Sequence, residues 1–450
     1  MEKRTTKEEL LARAAKPARD AMQMHPHYRG KIEVVPKCVI RDIDDFAVWY
    51  TPGVAETSKD IKKNPEMVFR HTNKANMVAI VTDGTRVLGL GNVGPLAALP
   101  VMEGKALLFK YLGGVDAFPL CLDTTDADEL IKTVKYLCPT FGGINLEDIE
   151  NPKCFYVLER LRREAPIPVW HDDQQGTAAV TVAGLINALK VVGKRMEDVR
   201  IALIGVGAAN VCIARMLIKA GVDPRKMMIV DSKGILSARR DDIDRNTHKE
   251  KWDLSRMTNG EGRDGTMEEA IAGKDVLIAL SEPGPEVIKK AWITTMTDDA
   301  VVFVCANPIP EIWPWEAREA GARVVATGRS DFANQVNNSV GFPAIFRGVL
   351  DVMARTITDE MCLAAAAELA RCAEDKGLSE DYILPSMDEW EVFPREAVAV
   401  AKKAMEQGVA RLRLTEKELF AMAEQKIRRA RDEVGVLMEK GIIRPNEECP

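Results

Sequence analysis

Five short runs rich in valine, isoleucine and alanine recur between residues 199 and 328: VRIALIG, KMMIVD, KDVLIAL, AVVFVCA and ARVVATG. Helical or charged stretches separate them. Strands covered on both faces read as unbroken apolar runs, and strand–helix alternation of this kind folds as a parallel, doubly wound sheet. The fold class expected is α/β, with a Rossmann-type parallel sheet in this half of the chain. Residues 238–266 are highly charged, lack periodicity and read as an excursion from that sheet. Beyond 340 the pattern is helical with interruptions. Thr415 and Glu418 form a capping box for a charged amphipathic helix running to about residue 439.

The first half is less regular. Residues 1–30 read as helix, broken at HPHYRGK, with Thr6 and Glu9 as its capping box. MVAIVTDGTRVLGL (77–90) reads as a β-hairpin around an Asp-Gly turn. EGKALLFKYLGG is expected to be a helix stopped by glycine, DAFPLCLD and IPVWHDD strands, and GTAAVTVAGLINALKVVGK a long helix.

Composition narrows the partners. A net charge of −6 argues against nucleic acid or an anionic membrane. No apolar run approaches the roughly 20 residues of a membrane span. The first 16 residues, MEKRTTKEELLARAAK, carry acids and no apolar core, so they do not read as a targeting peptide. Nine cysteines lie scattered without a C-x-x-C pair, as expected of reduced thiols in a cytoplasmic protein.

Two glycine loops compete for a dinucleotide. One has a literal G-x-G-x-x-G at Gly89, Gly91 and Gly94; the other, IGVGAAN, has Asn210 in place of the third glycine. Context favours the second. A buried-type strand enters Gly205, a helix leaves through Ala208, Ala209 and Asn210, and Asp231 ends the next strand 21 residues on. Gly205 suits the tight turn, Gly207 lets backbone approach a pyrophosphate, the helix N-terminus attracts it, and Asp231 can meet an adenosine ribose. Lys233 could instead contact a 2′-phosphate, so NAD and NADP both stay open. The first loop reads as having no helix to open, since Pro95 and Pro100 follow it. It reads as the wall of a substrate site, with Lys105 just downstream.

Two acid pairs, Glu147–Asp148 and Asp172–Asp173, stand at expected strand ends. Oxygen-only ligands of this sort suit a hard divalent cation, Mg²⁺ or Mn²⁺. Adjacent residues cannot both point inward on a regular strand, so a break is expected at 147–148. His171 reads as a packing residue or an outer partner before it reads as a ligand.

Taken together, YTPGVAE (50–56), VTDGTRVLGLGNVGPLAALPVMEGKALLFK (81–110), FGGINLEDI (141–149), HDDQQGTAA (171–179), IGVGAAN (204–210), ANPIPEI (306–312) and GRSDFANQVNNSVGFPAIFRG (328–348) resemble the malic enzymes, above all the short prokaryotic type. The resemblance implies metal-dependent oxidative decarboxylation of malate to pyruvate and CO₂ with NAD or NADP reduced. It implies Tyr50 as general acid, Lys105 as general base and Asp172 as the acid supporting that lysine. Glu147, Asp148 and Asp173 would be the metal ligands, and Asn307, Asn337 and Asn338 would lie near substrate and nicotinamide. Arg86 would anchor a malate carboxylate, a role that some members of the family give to an arginine here. The dinucleotide would lie on Gly205, Val206, Gly207, Ala208, Ala209, Asn210 and Asp231. Expected domains are 1–165 (substrate, α/β), 166–345 (dinucleotide) and 346–450 (helices packing back), in a homodimer or larger assembly. The rival readings are a plain 2-hydroxy-acid dehydrogenase, which needs no acid cluster, a non-catalytic relative, and an amino-acid dehydrogenase.

Overall fold

The computed structural model describes residues 7–446, so the expected Thr6–Glu9 cap lies outside the described residues. Two sheets carry the chain. The first has β1 (Met77–Thr82), β2 (Asp116–Cys121), β3 (Gly143–Leu146) and β4 (Val169–His171), all parallel, in the order β2-β1-β3-β4. The second has β5 (Ile201–Ile204), β6 (Met227–Asp231), β7 (Gly234–Ile235), β8 (Val276–Ala279), β9 (Ala300–Val304) and β10 (Ala322–Thr327), in the order β10-β9-β8-β5-β6-β7. Only β7 runs antiparallel, returning on β6. Every residue of β5, β8 and β9 is buried, the burial that their unbroken apolar runs require. Since β4 supplies the fourth strand, the first sheet extends past residue 165.

Helix α1 (Lys7–Tyr28) continues through HPHY and breaks at Arg29 and Gly30, both at positive φ. Helices α2 (Ile43–Trp49) and α3 (Val54–Lys63) follow, and neither has a buried residue. The hairpin expected at 77–90 does not form. Both edges of β1 are taken, by β2 and β3, so no edge is free for a returning arm. Val87 and Gly91 make only an isolated bridge.

The next expectation to fail is that proline blocks a helix after the first glycine loop. Helix α4 (Gly94–Gly113) starts at that loop, with Pro95 in the first turn, where a backbone N–H has no intrahelical partner. Pro100 is carried inside the helix. The carbonyl it leaves unpaired belongs to Leu96, which is 88% exposed, so water can satisfy it. Gly114, at φ +61, ends the helix as expected.

Helices α5 (Thr177–Val191) and α6 (Ala208–Lys219) lead into and out of β5. The excursion at 238–266 contains α7 (Lys249–Met257). The C-terminal third supplies α8 (Phe342–Asp351), α9 (Asp359–Lys376), α10 (Val392–Glu406) and α11 (Glu416–Glu439), the last with its Thr415–Glu418 capping box in place. All ten residues of α8 are buried. Within it Arg347 pairs with Asp351 at 2.6 Å, Lys426 of α11 reaches the same carboxylate at 2.6 Å, and Arg347 bonds Asn76 at the head of β1. These bonds fasten the C-terminal helices back onto the first sheet. No described helix is long and apolar enough to cross a membrane.

Candidate active site

The parallel register of the first sheet sets Leu146 beside both Val81 and His171, so β1, β3 and β4 end level. Asp83, the Glu147–Asp148 pair and the Asp172–Asp173 pair therefore leave one edge together. The carboxyl edge of a parallel sheet is where such folds gather ligands. The expected break is present: β3 stops at Leu146, and Asp148 turns the chain at φ +54. After β4 the chain enters a wide π-type turn, Asp172–Gly176, which holds Asp172 buried and leaves Asp173 partly exposed.

Carboxylate oxygens of Glu147, Asp148 and Asp173 lie within 4.8 Å of one another. Asp173 accepts the Asp148 backbone N–H at 2.8 Å, and Asn145 donates to Glu147 at 2.8 Å. Asp148 Oδ2 is buried with no partner. Three hard oxygen donors with one orphaned buried oxygen fit a Mg²⁺- or Mn²⁺-type cation. Burial and the nearby Asp173 push Asp148 up to about 8, and burial pushes Glu147 up as well.

Lys105 comes from α4 and is 8% exposed. Its Nζ donates to Asp172 Oδ2 at 2.5 Å, stands 3.1 Å from Glu147 Oε1, and lies 4.4 Å from the centre of the Phe342 ring. Burial pulls the ammonium down, but Asp172 and Glu147 outweigh that and hold it above its ordinary range. Trp170 Nε1 donates to the other Asp172 oxygen at 3.1 Å, fixing the carboxylate that holds the lysine. His171 is wholly buried, 3.6 Å from Asp173, and burial lowers its pKa from the ordinary imidazole value. Sequence reasoning missed Asn145 and Trp170. The available signal was periodicity: each lies two residues before an acid, hence on the same face of its strand.

Other expected residues are scattered around this core. Arg86 donates its backbone N–H to the Asp148 carbonyl at 3.0 Å, with its side chain exposed. Asn338 stands beside Gly176, where an added Cβ would meet the Asn338 Cβ at 3.3 Å and clash with Asp172. Asn337 caps the turn that follows it, accepting from Ser339 N at 2.9 Å. Asn307 is exposed after β9, and a Cβ on Gly89 would strike its carbonyl at 2.4 Å. The first glycine loop thus packs against the second sheet's loops. Tyr50 is not brought to Lys105: it is 71% exposed, and only its backbone is bonded.

On the second sheet Gly205, at φ +103, turns the chain out of β5, and its N–H bonds Val230. Val206 and Gly207 complete the loop, and Ala208, Ala209 and Asn210 open α6. Asn210 donates to the carbonyls of Ile204 (2.7 Å) and Gly205 (3.1 Å). Its amide thus pins the turn where the usual motif has a glycine. A Cβ on Gly207 would meet nothing nearer than Asn151, at 3.9 Å, so the loop faces open space. Asp231 ends the neighbouring strand.

A glycine loop opening a helix on one sheet, beside a buried lysine–carboxylate cluster on another, defines a two-sheet α/β enzyme of the dinucleotide-dependent oxidoreductase class. Residues 29–162 match the family model of the malic enzyme N-terminal domain, and residues 174–405 that of the malic enzyme NAD binding domain. The chain belongs to the malic enzyme family. It is 48% identical over 385 residues to an NAD-dependent malic enzyme of Geobacillus stearothermophilus, covering 86% of this chain and 79% of that one. To an NADP-dependent malic enzyme of Halomonas elongata it is 41% identical over 397 residues, covering 85% and 92%. The crystal structure of Entamoeba histolytica malic enzyme superposes with a TM-score of 0.95 at 47% identity, covering 98% of this chain and 93% of that one.

Proposed function

We propose that this chain oxidises (S)-malate and decarboxylates it to pyruvate and CO₂, passing a hydride to NAD⁺ or NADP⁺. The observation that carries this is Lys105, buried and held between Asp172 and Glu147 at the rim of a three-carboxylate cluster. A plain dehydrogenase has no use for that cluster. Glu147, Asp148 and Asp173 would hold a divalent cation, Mg²⁺ or Mn²⁺, which would supply Lewis acidity and offset the carboxylates that keep Lys105 protonated. A nicotinamide dinucleotide held at Gly205–Asn210 would supply the hydride acceptor.

Lys105 takes the proton of the C2 hydroxyl, and Asp172, tied by Trp170, aims it. Arg86, beside the cluster, binds a malate carboxylate through its planar fork. Asn307, packed against the first glycine loop, and Asn337 and Asn338, the latter beside Gly176, would meet substrate and nicotinamide. The N–H groups of Gly207 to Asn210, at the start of α6, receive the pyrophosphate. Loss of the C4 carboxylate leaves its electron pair on C3, and Tyr50 protonates that carbon.

Tyr50 serves this role in an assembled protein. Segment 32–54 exposes Val34, Ile43, Phe46, Val48, Trp49 and Tyr50, an apolar face of the kind that marks association. A second copy would cover that face and carry the tyrosine to a substrate, so a homodimer or larger assembly in the cytoplasm is part of the reading. The test is to supply malate and Mn²⁺ with each dinucleotide and quantify pyruvate and CO₂ beside NAD(P)H. Reduced dinucleotide without CO₂ would show a plain 2-hydroxy-acid dehydrogenase.

A further inference from the structure

Asp231, at the end of β6, stands where an acid in such a sheet receives the adenosine ribose hydroxyls. To do so a carboxylate needs free lone pairs, of which it has about four. Here four donors already use them. Oδ1 accepts the Lys233 N–H at 2.9 Å and Arg240 Nη1 at 2.7 Å. Oδ2 accepts Arg240 Nη2 at 3.1 Å and Lys251 Nζ at 3.1 Å. The Asp231 side chain is only 7% exposed. A ribose hydroxyl could donate to it only by displacing an arginine or a lysine.

The cations around it are more accessible than the acid. The Lys251 side chain is 32% exposed and that of Lys233 is 66% exposed. Asp242 also engages Arg240 at 2.8 Å and Lys233 at 2.9 Å. Three cations against two carboxylates leave the rim one charge positive. Ser232, between Asp231 and Lys233, is exposed. A 2′-phosphate brings three acceptor oxygens and about −1.5 to −2 charges, which such donors can meet without breaking the Asp231 bonds.

From this saturation of Asp231 and the cationic rim, we infer that the site prefers NADP over NAD, with Lys233 and Lys251 facing the 2′-phosphate and Arg240 held between them by Asp231 and Asp242. The inference rests on the reading of Gly205–Asn210 as the dinucleotide loop.

The experiment is calorimetric titration of the folded protein, without malate, using NADP⁺, NAD⁺, and the fragments 2′,5′-ADP and 5′-AMP. NADP⁺ should bind about tenfold or more tighter than NAD⁺, and 2′,5′-ADP should compete where 5′-AMP does not. In Lys233→Ala/Lys251→Ala the NADP⁺ affinity should fall about tenfold, while NAD⁺, offered a freed Asp231 lone pair, binds no worse. NAD⁺ binding as tightly as NADP⁺, or equal losses for both in the variant, overturns the preference and leaves the loop reading standing. Binding of neither dinucleotide overturns the loop reading, and the preference with it.

Discussion

Mn²⁺ added to the metal-free protein near neutrality should release about one proton or more per chain. Four carboxylates, Glu147, Asp148, Asp172 and Asp173, face a single lysine in a pocket where Glu147, Asp148 and Asp172 are at most 3% exposed. Not all of them can stay ionised there. Burial with Asp173 nearby lifts Asp148 to about 8, and Glu147 is lifted as well. At about pH 7 an acid of that pKa is about nine-tenths protonated, and ligation requires the carboxylate. The proton belongs to the cluster as a coupled unit. Affinity for Mn²⁺ should therefore rise about tenfold per pH unit up to about pH 8 and flatten above it. The sign for stability is opposite. An acid raised on folding keeps its proton while the unfolded chain loses it, so the metal-free protein loses stability as pH climbs from about 4 to about 8. Calorimetry of Mn²⁺ binding in buffers of different ionisation enthalpy measures the proton directly. Heats independent of buffer, with an affinity flat across neutrality, would refute the reasoning.

Lys105→Ala should lower malate turnover by about 10²–10⁴-fold with dinucleotide affinity retained in titrations; wild-type turnover would remove the lysine from the mechanism. Mixing inactive Lys105→Ala with inactive Tyr50→Phe under conditions of subunit exchange should restore about a quarter of wild-type activity, because half the dimers are mixed and each has one intact site. No recovery would mean that the tyrosine serves its own chain. Asp351→Ala should destabilise the protein by about 3–5 kcal/mol, since it strands the buried Arg347 and the half-buried Lys426 without their shared partner. A urea midpoint shifted by less than about 1 kcal/mol equivalent would show that the pair relaxes into water instead.

The second sheet was legible because burial on both faces writes itself into sequence as unbroken apolar runs, and β5, β8 and β9 are buried at every position. The acid pairs were legible because each directly follows such a run. The first sheet was harder. An Asp-Gly turn between two apolar runs reads the same whether the second run returns as a strand or leaves as a loop. What decides is that β2 and β3, from later in the chain, occupy both edges of β1. The misread prolines have a local origin instead. Pro95 sits in the first turn, where no N–H is needed, and Pro100 leaves unpaired only the carbonyl of exposed Leu96. Trp170 and Asn145 pass as core residues until their acid partners are placed beside them.

Lys105 marks the limit of local reading most sharply, because helix α4 carries a second lysine five residues on. At about 100° per residue the two point to different faces of the helix. Lys110 leaves the core, with its side chain 37% exposed, and pairs with Asp116 and Glu433. Lys105 turns inward to Asp172 and Glu147, which arrive from the ends of β4 and β3. Lys105 lies between Gly104 and Ala106 and Lys110 between Phe109 and Tyr111, and neither setting says which of the two will meet carboxylates. The distinction is made by the parallel register of the first sheet, which brings two strand ends level and so fixes which face of α4 meets carboxylates. Only the long motif surrounding Lys105, taken whole, carried that information in the sequence. Exchanging Lys105 with Ala106 would keep the helix's composition, turn the lysine by about 100° and lose the site.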